Sequence, residues 1–152
     1  MLSRSAVDYS GPMSQSAPGT KTEVIDALSR TLSMRPDLRL AILYGSAARD
    51  SIRKSSDIDL ALALDSPMSS EEFLSLMDLA AEACGRPVDL ADLRSAKGFF
   101  LHQILSRGYL FMNRDPALYE SLAARSLEYI EDIHPIVQRE RLRRIEEFAR
   151  GG

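Results

Sequence analysis

A single α/β domain with a helical C-terminal extension follows from three observations along this 152-residue chain. Helical and strand-like periodicities alternate: helix, strand, helix, strand, helix, strand, helix, strand, helix. The strand-like segments are short, apolar and bounded by glycine, proline or polar breaks. The last third returns to helical spacing and keeps it. These features predict a small sheet flanked by helices, built around one core, since a chain of this length does not fill two.

Residues 1–20 are rich in Ser, Gly and Pro and lack a hydrophobic h-region, so they read as a disordered leader and not a secretory signal. Met13 within them is an alternative start. Thr20 and Glu23 form a capping box, and Val24, Leu28 and Leu32 follow at helical spacing to about Ser33. Pro36 prevents continuation. Leu38 to Tyr44 is almost wholly apolar and predicts a buried strand. Gly45-Ser46 breaks it, followed by a short helical turn through Arg49 and a polar loop over 52–56.

From Asp57 to Leu64 the alternation is clean. Ile58, Leu60, Leu62 and Leu64 share one face, and Asp57, Asp59, Ala61 and Ala63 share the other. Ser69 and Glu72 predict a second capping box, opening a helix through Phe73, Leu76, Met77 and Ala80 that stops at Gly85. Pro87 to Leu90 predicts a third strand, with Val88 and Leu90 opposite Asp89. Ser95 is the expected cap of a helix through about Arg107, closed by Gly108. Tyr109 to Met112 predicts an edge strand. Asp115-Pro116 starts a last helical region to about Arg150. Leu118, Leu122, Leu127, Ile130, Ile133 and Val137 lie on one side of it, and Pro135 must break or kink it.

Composition narrows function. The formal net charge of -3 argues against general nucleic-acid affinity, which needs a basic face. Arg139, Arg141, Arg143 and Arg144 alternate with glutamates and read as a solvated face. No apolar run is long enough to cross a membrane. The lone cysteine, Cys84, excludes an internal disulfide, fits a reducing cytoplasm and reads as a small buried helix residue. His102 and His134 are too far apart to form a metal pair. His102 reads as a helix-surface residue and His134 as the mark of the kink.

The chemistry concentrates in four short segments. Gly45 allows close backbone approach to a ligand, and the N–H groups of the following turn, with the Ser46 hydroxyl, suit a phosphate. Asp57 and Asp59 project from one strand face, roughly 6.5–7 Å apart by strand rise. Their neighbours opposite are large aliphatics, so these carboxylates are held on an anchored strand. If the second and third strands are adjacent, Asp89 joins the same face. Three carboxylates can hold one or two Mg²⁺ ions and leave an oxygen to take a proton. Asp92 is a rival third acid, ranked lower because it leaves the alternation.

The combined pattern is Gly45-Ser46, ten intervening residues, then Asp57-Ile58-Asp59. It resembles the signature of the DNA polymerase β-like nucleotidyltransferases. The stretch Leu43-Tyr44-Gly45-Ser46-Ala47-Ala48-Arg49 resembles their minimal (MNT) group, and Val88-Asp89-Leu90 their third-carboxylate strand. One departure stands out: Asp50 occupies a position where the group often has glycine.

The resemblance implies the nucleotidyltransferase fold, with a catalytic domain over 21–113 and a helical extension over 114–152. It implies that Gly45 and Ser46 hold the triphosphate of ATP, with Arg49 near the phosphates. Asp57 and Asp59 would bind Mg²⁺, and Asp89 would complete the metal site or act as base. The C-terminal stretch Leu127-Glu128-Tyr129-Ile130-Glu131-Asp132 resembles that of antitoxins paired with HEPN-domain RNase toxins. The implied activity is transfer of AMP from ATP to a tyrosine of the toxin, in the cytoplasm, without direct nucleic-acid binding. Two other readings are a non-catalytic antitoxin that acts by contact and an enzyme acting on a small molecule such as an aminoglycoside.

Overall fold

The computed structural model describes residues 18–49, 52 and 56–151. The leader up to residue 17, Met13, Asp50 and most of the 52–56 loop lie outside the described residues.

Helix α1 spans Lys21–Leu32. The capping box forms as expected: Thr20 Oγ1 accepts from the Glu23 N–H, and the Glu23 carboxylate accepts from the Thr20 N–H, both at 3.2 Å. Strand β1 spans Leu38–Tyr44, and a single 3₁₀ turn, Ala47–Arg49, follows Gly45-Ser46. Strand β2 spans Ile58–Leu64, so Asp57 sits one residue before the strand and not within it. Helix α2, Ser70–Cys84, starts on the Ser69–Glu72 capping box and ends at Gly85 in the left-handed conformation, as glycine allows.

Strand β3 runs Val88–Asp92, two residues past the predicted end. Asp92 is therefore part of the strand. Its carboxylate accepts from the Arg94 N–H at 3.0 Å and from the Ser95 hydroxyl at 3.1 Å. This changes the next helix. Ser95 is engaged by Asp92 and does not cap, and helix α3 begins later, at Gly98–Arg107, without a side-chain cap. Strand β4, Tyr109–Asn113, is an edge strand, as is β3 at the other side of the sheet. Helices α4, Pro116–Asp132, and α5, His134–Ala149, flank a break at Ile133, with Pro135 in the first turn of α5.

The four strands form one mixed sheet in the order β3-β2-β1-β4. β1 is antiparallel to β2 and β4, whereas β2 and β3 are parallel. The faces divide as the alternation requires. Ile58, Leu60, Leu62, Leu64, Val88 and Leu90 pack against Val24, Leu28 and Leu32 of α1 and Leu76, Ala80 and Cys84 of α2. Ala61, Ala63 and Ala91 on the opposite face pack with Leu40 and Ile42, beneath Leu101 and Ile104 of α3 and Leu122 of α4. The small alanines on this second face bring α3 close to the sheet.

His102 is tied inward, not outward: its Nδ1 lies 3.2 Å from Oγ of the buried Ser126, joining α3 to α4. The apolar side expected of the C-terminal helices is covered only near its start. Leu122 is buried, but Leu127, Ile133 and Val137 are exposed, and α5 buries no residue. The arginines of α5 do form a solvated face. Arg143 bridges Glu140 and Glu147, and Arg144 reaches Glu140.

Leu60 is fully buried at the centre of the larger core layer, beside Asp59. Leu60→Ala should cost about 2–5 kcal/mol, for lost burial and the cavity it leaves. Denaturant unfolding should show a lower midpoint with an unchanged slope.

Candidate active site

Strand pairing assembles the site. In the parallel β2–β3 ladder, Asp59 is the register partner of Asp89. In the antiparallel β1–β2 ladder, Asp59 is also the partner of Tyr44. The three side chains thus lie in a row across the α3 side of the sheet, and Asp57 stands one strand step before Asp59. Asp92 pairs with Leu62, which belongs to the other face, and its carboxylate is committed to the β3–α3 turn. The adjacency that would bring Asp89 beside Asp59 is therefore present, whereas Asp92 is hydrogen-bonded within the turn after β3.

Gly45 ends β1 with φ of +68°, in the left-handed region. A Cβ at this position would collide with the Asp59 carboxylate, its carbon only 3.0 Å away and one oxygen closer still. Glycine is thus needed twice, for its backbone angle and for space. Its backbone is pressed against the acid that the sheet places next to Asp89. Ser46 follows, and its carbonyl accepts from the Arg49 N–H at 3.2 Å, closing the 3₁₀ turn.

The electrostatics of the row are unfavourable as it stands. Burial raises the Asp59 carboxyl above the usual carboxylate range, and the charges of Asp89 and Asp57 add to the shift. Burial also pushes the Tyr44 hydroxyl up to about 12, with Asp59 and then Asp89 contributing. Among the described residues, no cation forms an ion pair with Asp57, Asp59 or Asp89. No three Asp, Glu, His or Cys side chains among them already converge on a single point. Mg²⁺ does not require that, because it takes one or two carboxylates and completes its octahedron with water and phosphate oxygens. An all-oxygen donor set whose mutual repulsion a cation would relieve fits such an ion.

Two concavities flank Tyr44. The larger, about 810 Å³, holds Asp59, Asp89 and Asp92 and has an apolar wall including Phe73 and Phe100. Phe100 meets Tyr44 edge to face, with ring centroids 6.0 Å apart. The smaller, about 130 Å³, is lined by Tyr44, Gly45, Arg49, Gln103 and Arg107. Arg49 therefore borders the same concavity as Gly45. The sequence reading did not single out Tyr44, Phe73, Phe100, Gln103 or Arg107. For Tyr44 a signal existed: it continues the strand phase of Leu40 and Ile42. The three α3 residues, Phe100, Gln103 and Arg107, reach the site only through tertiary packing.

Comparison with known proteins places this geometry. The family model described as polymerase beta, nucleotidyltransferase matches residues 26–117. The protein adenylyltransferase MntA of Shewanella oneidensis is 29% identical over 108 residues, covering 64% of this chain and 78% of that protein. A chain of the crystal structure of the MntA–HepT toxin–antitoxin is 25% identical, with a TM-score of 0.53, covering 85% of this chain and 96% of that one. A chain of the tri-AMPylated Shewanella oneidensis HEPN toxin in complex with MNT antitoxin is similar in fold. It is 24% identical, with a TM-score of 0.58, covering 85% and 98% of the two chains.

Asp59 supplies a pH test. Its folded-state pKa is raised, so its ionisation disfavours the folded state. This cost is absent at low pH, where both states are protonated. It appears as pH rises through the ordinary carboxylate value, and it is complete above the folded-state value. Asp89→Asn removes one charge that raises Asp59. Carboxyl NMR titration should show the Asp59 pKa falling. The variant should gain stability over the native chain at neutral pH but not at low pH.

Proposed function

The chain belongs to the polymerase beta nucleotidyltransferase family, and from that premise we propose that it is a protein adenylyltransferase antitoxin. It moves AMP from ATP to a tyrosine hydroxyl of a HEPN-domain toxin and silences the toxin by that modification. One observation carries the reading: Gly45 is pressed onto Asp59, which stands in register with Asp89. A phosphate-approaching backbone and a carboxylate row at one point are what nucleotidyl transfer needs and what a purely binding antitoxin does not. The likeness to MntA and to the MntA–HepT assembly supports the choice of acceptor and partner.

In this reading residues 21–113 are the catalytic domain and 114–152 a helical extension. The Gly45 backbone and Ser46 hold the triphosphate, and Arg49 lies beside it. Asp57, Asp59 and Asp89 are the residues that would hold Mg²⁺, which when bound offsets the charge of the phosphates and of the leaving group. The acceptor oxygen forms a bond to the α-phosphorus while the bond to the β-phosphate bridging oxygen breaks, and pyrophosphate departs. The proton of the acceptor hydroxyl passes to a carboxylate oxygen of Asp89, the most exposed strand acid of the row. Such transfer depends on positioning and electrostatics more than on covalent catalysis, so a site this small suffices. Use of ATP as donor fits a cytoplasmic protein, and no helix among the described residues is long and apolar enough to cross a membrane.

Incubation with α-labelled ATP, Mg²⁺ and a HEPN-domain partner tests the reading. Label should move to the partner. Asp57→Ala/Asp59→Ala should lower the rate by at least about a hundredfold. A tight complex without transfer would replace this reading with a contact-only antitoxin; neither complex nor transfer would point to a small-molecule acceptor.

Gly45→Ala should also reduce transfer by about a hundredfold or more, because the added methyl displaces Asp59. The same assay measures it, and near-native turnover would show that the Gly45–Asp59 contact is dispensable.

A further inference from the structure

We propose that α3 supplies a second wall of the triphosphate site, with the Arg107 guanidinium and the Gln103 amide gripping the terminal phosphates that leave as pyrophosphate. The proposal rests on the nucleotidyltransferase reading of Gly45 and the carboxylate row, and it adds two residues that the motif does not contain.

Strand register puts them there. β4 is antiparallel to β1, and Tyr109 is the partner of Leu43. Residues just before Tyr109 therefore lie beside the chain just after Leu43, where Gly45 begins its turn. Gly108 locks that approach. A Cβ there would strike the Ile104 carbonyl and the Ile42 side chain, so the end of α3 sits directly on β1. Gln103 and Arg107, one turn apart, then border the same concavity as Gly45 and Arg49.

The chemistry of that concavity is one-sided. It is lined by two arginines, one glutamine, Tyr44 and Gly45, and by no acidic residue. Neither Arg49 nor Arg107 forms an ion pair with a described acidic residue. The helix end itself presents carbonyl groups, which repel anions. The positive character therefore comes from side chains, and the planar donor fork of arginine matches phosphate oxygens. The larger cavity, which Tyr44 also lines, carries Asp59, Asp89 and Asp92 against the single cation Lys97, and that excess of carboxylates disfavours phosphate unless a metal ion is present. With the terminal phosphates on the basic side, the carboxylate side is left open to the attacking hydroxyl. That is the arrangement an in-line displacement requires.

Calorimetric titration of the full chain with inorganic tripolyphosphate, ATP and AMP, each with Mg²⁺, tests this. Arg107→Ala should weaken tripolyphosphate and ATP about tenfold and leave AMP unchanged. Arg107→Lys should recover part of the loss, since charge remains but the fork does not. Arg107 is exposed, and matching melting curves would establish that the variants are folded. The proposal is overturned if the native chain does not bind tripolyphosphate, if Arg107→Ala binds it normally, or if AMP binding falls equally. Labelled transfer run in parallel separates the two ideas. Native transfer with an Arg107→Ala variant that binds and reacts normally would sink only the α3 site. Arg107-dependent tripolyphosphate binding without transfer to any HEPN partner would sink only the transferase reading.

Discussion

The parallel pairing of β2 with β3 sets two carboxylates side by side, and the rest of the site is arranged around that juxtaposition. Like charges directly opposite each other in a ladder are destabilising. What holds the register is on the other side of the sheet. Ile58, Leu60 and Leu62 on β2 and Val88 and Leu90 on β3 are buried against α1 and α2. A slip of one residue would turn those side chains out of the core, at several kcal/mol for the set. The apolar layer therefore imposes the position of Asp59 and Asp89. The raised pKa of Asp59 is the electrostatic counterpart of that packing.

This explains which features the sequence made legible. A strand with one buried face writes its phase into a period of two, so the division of β2 into aliphatic and acidic faces was readable from Asp57 to Leu64. Both capping boxes were readable because their hydrogen bonds are local. Strand order is not local. The position of Asp89 followed only if β2 and β3 were neighbours, and no residue on either strand announces its partner. The local misreadings have a local cause: Asp92 accepts hydrogen bonds from the turn after β3, lengthening the strand and taking Ser95 from the helix cap. His102 looked like a surface residue because its partner, Ser126, is 24 positions away. At the C-terminus, helical spacing was right but burial was not. An apolar stripe shows that a helix can be covered, not that its own domain covers it.

Gly45 shows how a short motif depends on distant structure. Its positive φ is a local property, readable from glycine before a turn. The need for an absent side chain is not local, because the atoms in the way belong to Asp59, fourteen residues on and one strand across. The spacing of the motif reflects this. Antiparallel pairing of β1 with β2 returns the acid to the glycine.

Tyr44 gives the site its polarity. It lies between an acidic cavity and a basic one, and burial with nearby negative charge holds its hydroxyl in the neutral form up to about pH 12. Arg49 and Arg107 line one of these concavities and Asp59 and Asp89 the other, and none of the four forms an ion pair with a described residue. Unpaired, each retains an unmet electrostatic demand. The carboxylates call for a hard cation and the guanidiniums for phosphate oxygens. A metal-bound triphosphate meets both demands together, so ligand binding, more than folding, neutralises this part of the molecule.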